Sequence, residues 1–167
     1  MRPRVDEVMH SISWTFEEYI VPEVKEPFAQ SLAYTIGNLL RHVEARVEHE
    51  GRFLTEDIED LVGLLGSSLE FLPEAGANQE VSAAIAEALE AEATPPGHYQ
   101  NSVELSARVE PLRAALAAVI RTLEEGHAKW AERADYIELR RRIRTHLDKQ
   151  LTAESLWTAA PFREPRR

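Results

Sequence analysis

The sequence predicts an all-α fold: a single-domain helical bundle of about six helical segments, with a Pro-kinked or broken long C-terminal helical region. Three observations carry this. Apolar residues recur three and four positions apart along nearly the whole chain, the spacing that lines one face of an α-helix. No stretch sustains the strict apolar–polar alternation of a half-buried strand. The 167 residues, 44% hydrophobic and 29% charged, suffice for one core without disulfide or metal staples.

Taken in order, Val5, Met9, Ile12, Phe16 and Tyr19 form the first stripe, closed off by Pro22. Pro27 suits a first helical turn, and Phe28, Leu32, Leu39 and Val43 continue a second stripe towards Gly51. Thr55 is placed to cap a third helix, with Glu56 and Asp57 favourable beside its positive end. Its stripe is Ile58, Leu61, Leu65, Leu69 and Leu72, ended by Pro73. Asn78 can cap a short alanine-rich helix reaching about Ala93, and TPPGHYQN, 94–101, reads as the long loop.

Asn101 with Glu104 reads as a capping box. Leu105, Val109, Leu112, Leu116, Val119 and Leu123 then keep one phase through Pro111, so a kink or restart is expected there rather than an end. After Gly126 the stripe moves. Trp130, Ala134 and Ile137 lie on one side, with Tyr136, Ile143 and Leu147 roughly opposite. The expected domain is 1–152, and 153–167 is a frayed tail in which Trp157 and Phe162 could dock.

Composition removes several classes of function. With 19 basic against 29 acidic side chains the formal charge is −10, so a nucleic-acid duplex or an anionic membrane is repelled overall and neither is an expected partner. The absence of cysteine removes disulfides, thiolate nucleophiles and cysteine-ligated metal centres. MRPRVDEVMH is no secretory signal, and no run approaches the ~18 apolar residues of a membrane helix. The expected compartment is the cytoplasm, and no cofactor is expected.

The most chemically dense stretch is RHVEARVEHE, 41–50. Arg41, Glu44, Glu48 and Arg52 fall on one helical line and read as an ion-pair ladder facing water. His42 and His49 have no acid or second histidine at ligand spacing on this helix, and they sit about 10 Å apart along its axis. Arg46 neighbours both, and its fixed charge opposes a cation. This helix alone therefore makes no metal site. Asn38, His42, Arg46 and His49 instead form a polar seam beside an apolar stripe. Such a seam either edges the bundle or rims a groove for a polar-headed ligand or a partner.

Diiron bundles use Glu-x-x-His on two helices, and this chain has the spacing at Glu7/His10 and Glu124/His127. Glu7 and His10 point away from the first stripe, alongside Trp14. His127 sits near the Leu123–Trp130 stripe, partly buried, but Gly126 interrupts that helix. No metal is expected, with Glu124 and His127 the fallback pair. The glycines form neither GxxxxGK[ST] nor GxGxxG, and GLLGSS, 63–68, lacks nucleophile-elbow spacing. Gly63 and Gly66 read as permitting close helix approach. RRRIR, 140–144, is the one basic cluster and is expected to pair with acidic helices.

The stretch FEEYIVPEVKEPFAQSLAYTIGNLLRHVEARVEHEG, 16–51, resembles the start of a group of small uncharacterised bacterial all-helical proteins that accompany acyl-CoA dehydrogenase-like and aminoglycoside-phosphotransferase-like enzymes in actinobacteria. It spans about a fifth of the chain. The resemblance implies at most an accessory role beside such an enzyme and transfers no site residue.

The expectation is a non-catalytic accessory or binding protein, using the seam as its ligand or partner surface. It would self-associate as a homodimer through helix faces, with Ile143 and Leu147 at the contact. The alternatives are a small-molecule enzyme or binder using an inter-helix pocket with His42, Arg46 and His49, and a ferritin-like metal bundle.

Overall fold

A computed structural model describes residues 3–77, 79–92, 97 and 100–158. Among these are six α-helices and no strand: α1 Val5–Thr15, α2 Pro27–Glu74, α3 Gln79–Glu92, α4 Ser102–Glu125, α5 His127–Trp130 and α6 Ala134–Thr158. The all-α class is as expected. The expected cap Asn78, most of the 94–101 loop and the side chains of Trp157 and Phe162 lie outside the described residues.

The number of helices agrees with expectation, but the division differs. The second and third expected helices are one, α2, running unbroken through Gly51 and Thr55. Glycine in a helix interior costs about 1 kcal/mol but does not end it. Thr55, expected as a cap, instead donates its hydroxyl hydrogen bond back to the Gly51 carbonyl at 2.9 Å, as a threonine inside a helix does. The real end follows Pro73. Gly76 takes φ +67°, Ala77 N–H donates to Leu72 O at 3.0 Å, and Gly76 N–H donates to Pro73 O at 3.1 Å. This is a Schellman closure, which needs a left-handed residue at the Gly76 position.

The last expected helix is in turn divided, into α5 and α6, by a turn at 131–133. The start of α4 falls as read, and the helix passes Pro111 without the expected restart. Asn101 Oδ1 accepts from Val103 and Glu104 N–H at 3.0 Å, while Asn101 N–H donates to Glu104 Oε2 at 3.0 Å.

The chain gathers into two compact units. One comprises residues up to 50 with those from 152 onward; the other is 51–151. In the 51–151 unit, Leu61, Leu65 and Leu72 of α2 are fully buried, as are Ile85 of α3 and Leu112 and Val119 of α4. Burying each such side chain stabilises the fold by roughly 1.5–3 kcal/mol before entropy is counted. The break at 131–133 resets the helical phase. Trp130 and Tyr136, read as facing opposite ways, therefore both reach this core and meet Phe71, with ring centroids 5.5 and 6.2 Å from it. Gly126 makes room for Trp130: a Cβ there would lie 2.0 Å from the indole ring.

The other unit holds α1, a π-helical turn Phe16–Ile20, a 3-10 turn Val21–Glu23 carrying Pro22, the first half of α2 and the end of α6 from Thr152. α1 and its π turn seat on a narrow flank of α2. The Phe16 ring lies 3.8 Å from where a Gly37 Cβ would be, Arg41 binds Glu17, and His10 Nδ1 meets Glu44 Oε1 at 2.9 Å. Ala33 and Ser13 are buried. Here the expected core stripes are not core. Val5, Ile12 and Tyr19 of the first are 65%, 46% and 61% exposed, and Phe28, Leu32, Leu39 and Val43 of the second are between 45% and 70% exposed.

Candidate functional site

The seam Asn38, His42, Arg46 and His49 stands along the exposed stripe of α2. Arg46 Nη1 lies 3.7 Å from Glu50 Oε1 with its side chain 58% exposed, and His49 Nε2 lies 3.7 Å from Glu48 Oε2. Asn38 Oδ1 accepts from Arg41. Five surface cavities of about 10 to 650 Å³ are all lined by other residues. The four residues run along one helix and line none of these five. The ion-pair ladder expected beside them is rearranged. Arg41 and Glu44 turn to Glu17 and His10 and tie α1 and its π turn to α2.

The two Glu-x-x-His pairs do not form sites. Glu7 Oε2 accepts from the Arg4 backbone N–H at 3.0 Å, while His10 is engaged by Glu44. Glu124 and His127 are both exposed, so His127 is not the partly buried histidine expected. Its Nδ1 is 2.9 Å from the Tyr136 hydroxyl, which donates to Leu123 O at 3.0 Å. That arrangement joins the end of α4 to α6. Among the described residues no three His, Asp or Glu side chains are grouped to hold a metal ion, and no helix is long and apolar enough to cross a membrane.

Three further expectations are corrected. Ile143 is 5% exposed and belongs to the interior of its own unit, because Tyr136, Leu139 and Ile143 share the inward face of α6. A second chain cannot reach it, whereas Leu147 is 37% exposed. Nothing approaches a Cβ position at Gly63 or Gly66 within 4 Å; the close approaches occur at Gly37 and Gly126. In the basic cluster, among the described residues, only Arg141 forms an ion pair, with Glu138 on its own helix. Arg140 donates to the Tyr136 hydroxyl at 3.2 Å, and Arg142 donates to Ser67 Oγ and to Gly63 O.

One constellation was not legible in the sequence. Asp57, its carboxylate 1% exposed, accepts from Arg113 Nε and Nη2 at 3.0 and 2.7 Å and from Gln150 Nε2 at 2.8 Å. His146 is 6% exposed. Its Nε2 is 3.6 Å from Asp57 Oδ1, and neither ring nitrogen has a hydrogen-bond partner. Burial holds its imidazole below the ordinary histidine range, against the opposing pull of Asp57 and Asp60. Asp57 and His146 are 89 positions apart and carry no motif. The available sign was the inward phase of His146, three residues beyond Ile143.

No protein-family model, no curated protein and no solved structure matches the chain.

Proposed function

We propose that the protein is a non-catalytic assembly module that pairs with a second copy of itself through the exposed face of α2, with the Asn38–His42–Arg46–His49 seam as the polar rim. The observation that carries this is the stripe Phe28, Leu32, Ile36, Leu39, Val43 and Val47, each between 45% and 70% exposed. Its members recur at 11-residue intervals (28/39, 32/43, 36/47), a period of about 3.67, so the stripe runs almost straight along the helix for about 28 Å. Val5, Val8, Ile12, Tyr19 and Ile20 of the same unit are exposed as well. A contiguous exposed apolar row of this kind marks an interaction surface.

The spacing favours a second copy as the occupant. It is symmetric about the point between Gly37 and Asn38. A two-fold axis there sets Phe28 against Val47, Leu32 against Val43 and Ile36 against Leu39, each contact made twice, as a self-complementary interface requires. Pro27–Leu40 carries no charged side chain in a chain of net charge −10, so the repulsion between two acidic copies is smallest along this segment.

Sedimentation velocity over a dilution series tests the proposal. The expected result is a concentration-dependent dimer, weakened about tenfold or more by Leu39→Glu with helical circular dichroism unchanged. A parent protein that remains a monomer at high micromolar concentration overturns it, as does a Leu39→Glu dimer as tight as the parent.

A further inference from the structure

In the 51–151 unit, α6 is fastened to α2 by side chains of unequal kinds. Lys149 Nζ lies 2.6 Å from Asp60 Oδ2 and 3.8 Å from Glu56 Oε2, in pairs open to water. Gln150 Nε2 donates to the buried Asp57 carboxylate at 2.8 Å, and Arg113 of α4 donates to the same carboxylate twice. Beside Asp57 stands His146, more than nine-tenths buried, with neither ring nitrogen hydrogen-bonded among the described residues. Buried polar groups without a partner are rare enough in folded proteins to need an explanation. The assembly reading makes no use of this one.

The surroundings of the ring oppose a proton on it. Asp57 and Asp60 act on it from α2, Arg113 from α4 and Lys149 from α6 itself. Arg113 already pairs with Asp57, and Lys149 with Asp60, so the attraction of the two carboxylates for a further cation is largely offset. At 3.6 Å from Asp57 Oδ1, His146 Nε2 is beyond hydrogen-bond distance, and that oxygen is held by Gln150. The hollow bordered by Phe53, Asp57, His146 and Gln150 is about 10 Å³, room for one water at most. Burial therefore outweighs the carboxylates and holds the imidazole below the ordinary histidine range.

We propose that His146 is an acid-sensitive latch: its neutral ring lets the end of α6 close onto α2, and its protonation releases that end. A proton arriving on the ring creates a buried cation whose nearest acceptor, Asp57 Oδ1, is already taken by Gln150. Either Gln150 lets go of Asp57 or the ring leaves the interior for water. Both loosen the turn of α6 that carries His146, Lys149 and Gln150. The sign follows from the two proton affinities. A released ring binds a proton as an ordinary histidine does, and the closed ring binds it more weakly, so acid favours release. The closed state holds in full above about pH 6.5. Each pH unit below that raises the released population by up to about tenfold, until the closed ring itself takes the proton.

The test is amide hydrogen exchange at residues 143–151 of the full chain, with the His146 ring titration followed by NMR on the same protein. Between about pH 7.5 and about pH 5.5, after correction for intrinsic exchange, the parent should lose protection there severalfold, up to about tenfold. His146→Leu, whose apolar side chain takes no proton, should keep it. The ring of the parent should titrate below about 6.5. A ring that titrates at about 6.5 or above overturns the latch. So does protection that is independent of pH, or a loss as large in His146→Leu as in the parent. If His146→Leu fails to fold, the parent decides alone. Protection that falls as the His146 ring takes up its proton supports the latch, and protection unchanged across that titration overturns it.

Discussion

The two halves of α2 obey the same rule and meet opposite fates. Beyond residue 51, Leu61, Leu65 and Leu72 are fully buried; before it, Phe28 and Leu39 are 70% and 59% exposed. The second half lies in a unit that also contains α3, α4 and α6 up to Leu151, which supply apolar faces to meet it. Among the described residues the first half has the 11-residue α1, the two short turns after it and the end of α6 from Thr152. α1 seats on the small-residue flank at Ala33 and Gly37 and leaves the large apolar flank clear. Periodicity tells which residues share a face. Whether the same chain holds enough surface to cover that face is a separate matter, and among the described residues of the first unit it does not.

The sharpest way to break this comparison is the same substitution in each half. Leu61→Ala should lower unfolding stability by about 2–5 kcal/mol, the usual result of emptying a closed core position. Leu39→Ala should cost under about 1 kcal/mol at concentrations where the protein is monomeric, and more as concentration rises and pairing contributes. Chemical denaturation at two protein concentrations measures both. A Leu39→Ala cost as large as that of Leu61→Ala in dilute solution would mean that the face is covered within the monomer, contrary to the contrast drawn above.

A smaller effect comes from the closure of the 51–151 core. Gly126→Ala places a methyl group 2.0–2.4 Å from atoms of the Trp130 ring. The ring must move, and its packing on Phe71 and Tyr136 must loosen. Destabilisation of about 1–3 kcal/mol is expected, as for an overpacked interior, with loss of near-ultraviolet dichroism from Trp130. Unchanged stability would show that Trp130 is not held at Gly126. The matching change in the other unit is milder. A Cβ at Gly37 would meet Phe16 at 3.8 Å, an ordinary contact, so Gly37→Ala should not destabilise and should gain up to about 1 kcal/mol of helix propensity.

Much of the fold was legible because it is local. All six apolar residues assigned to the stripe of α4 are buried, and the Asn101–Glu104 box formed as read. What was not legible depends on distant pairings. The continuity of α2 was missed because Gly51 and Thr55 resemble a boundary locally, yet nothing there withdraws a backbone donor as proline would. The pairing of Asp57 with Arg113 and Gln150, and the position of His146 beside it, join α2, α4 and α6 across 56 to 93 positions. No spacing rule reaches that far. The seam was readable as a line on a helix, but its setting beside an uncovered stripe was not, because the stripe itself was read as core.

The smallest expected effect concerns Arg46, where the seam meets the stripe. Its ion pair with Glu50 is long, at 3.7 Å, and its side chain is 58% exposed. Exposed pairs of this kind contribute roughly 0–1 kcal/mol, so Arg46→Ala should leave the denaturation midpoint of the dilute protein nearly where it is. Its effect on pairing separates two views of the surface. If the apolar stripe carries recognition, Arg46 is a rim residue, and its loss weakens the dimer severalfold, well short of Leu39→Glu. Rim contacts act mainly by excluding water from the apolar centre. If Arg46→Ala instead abolishes pairing while Leu39→Ala leaves it intact, the polar seam is the recognition element and the stripe only its support. Sedimentation of the two variants side by side, at one ionic strength, distinguishes these outcomes. Repetition at higher salt adds an independent check, since an Arg46 contribution made through charge is screened and an apolar one is not.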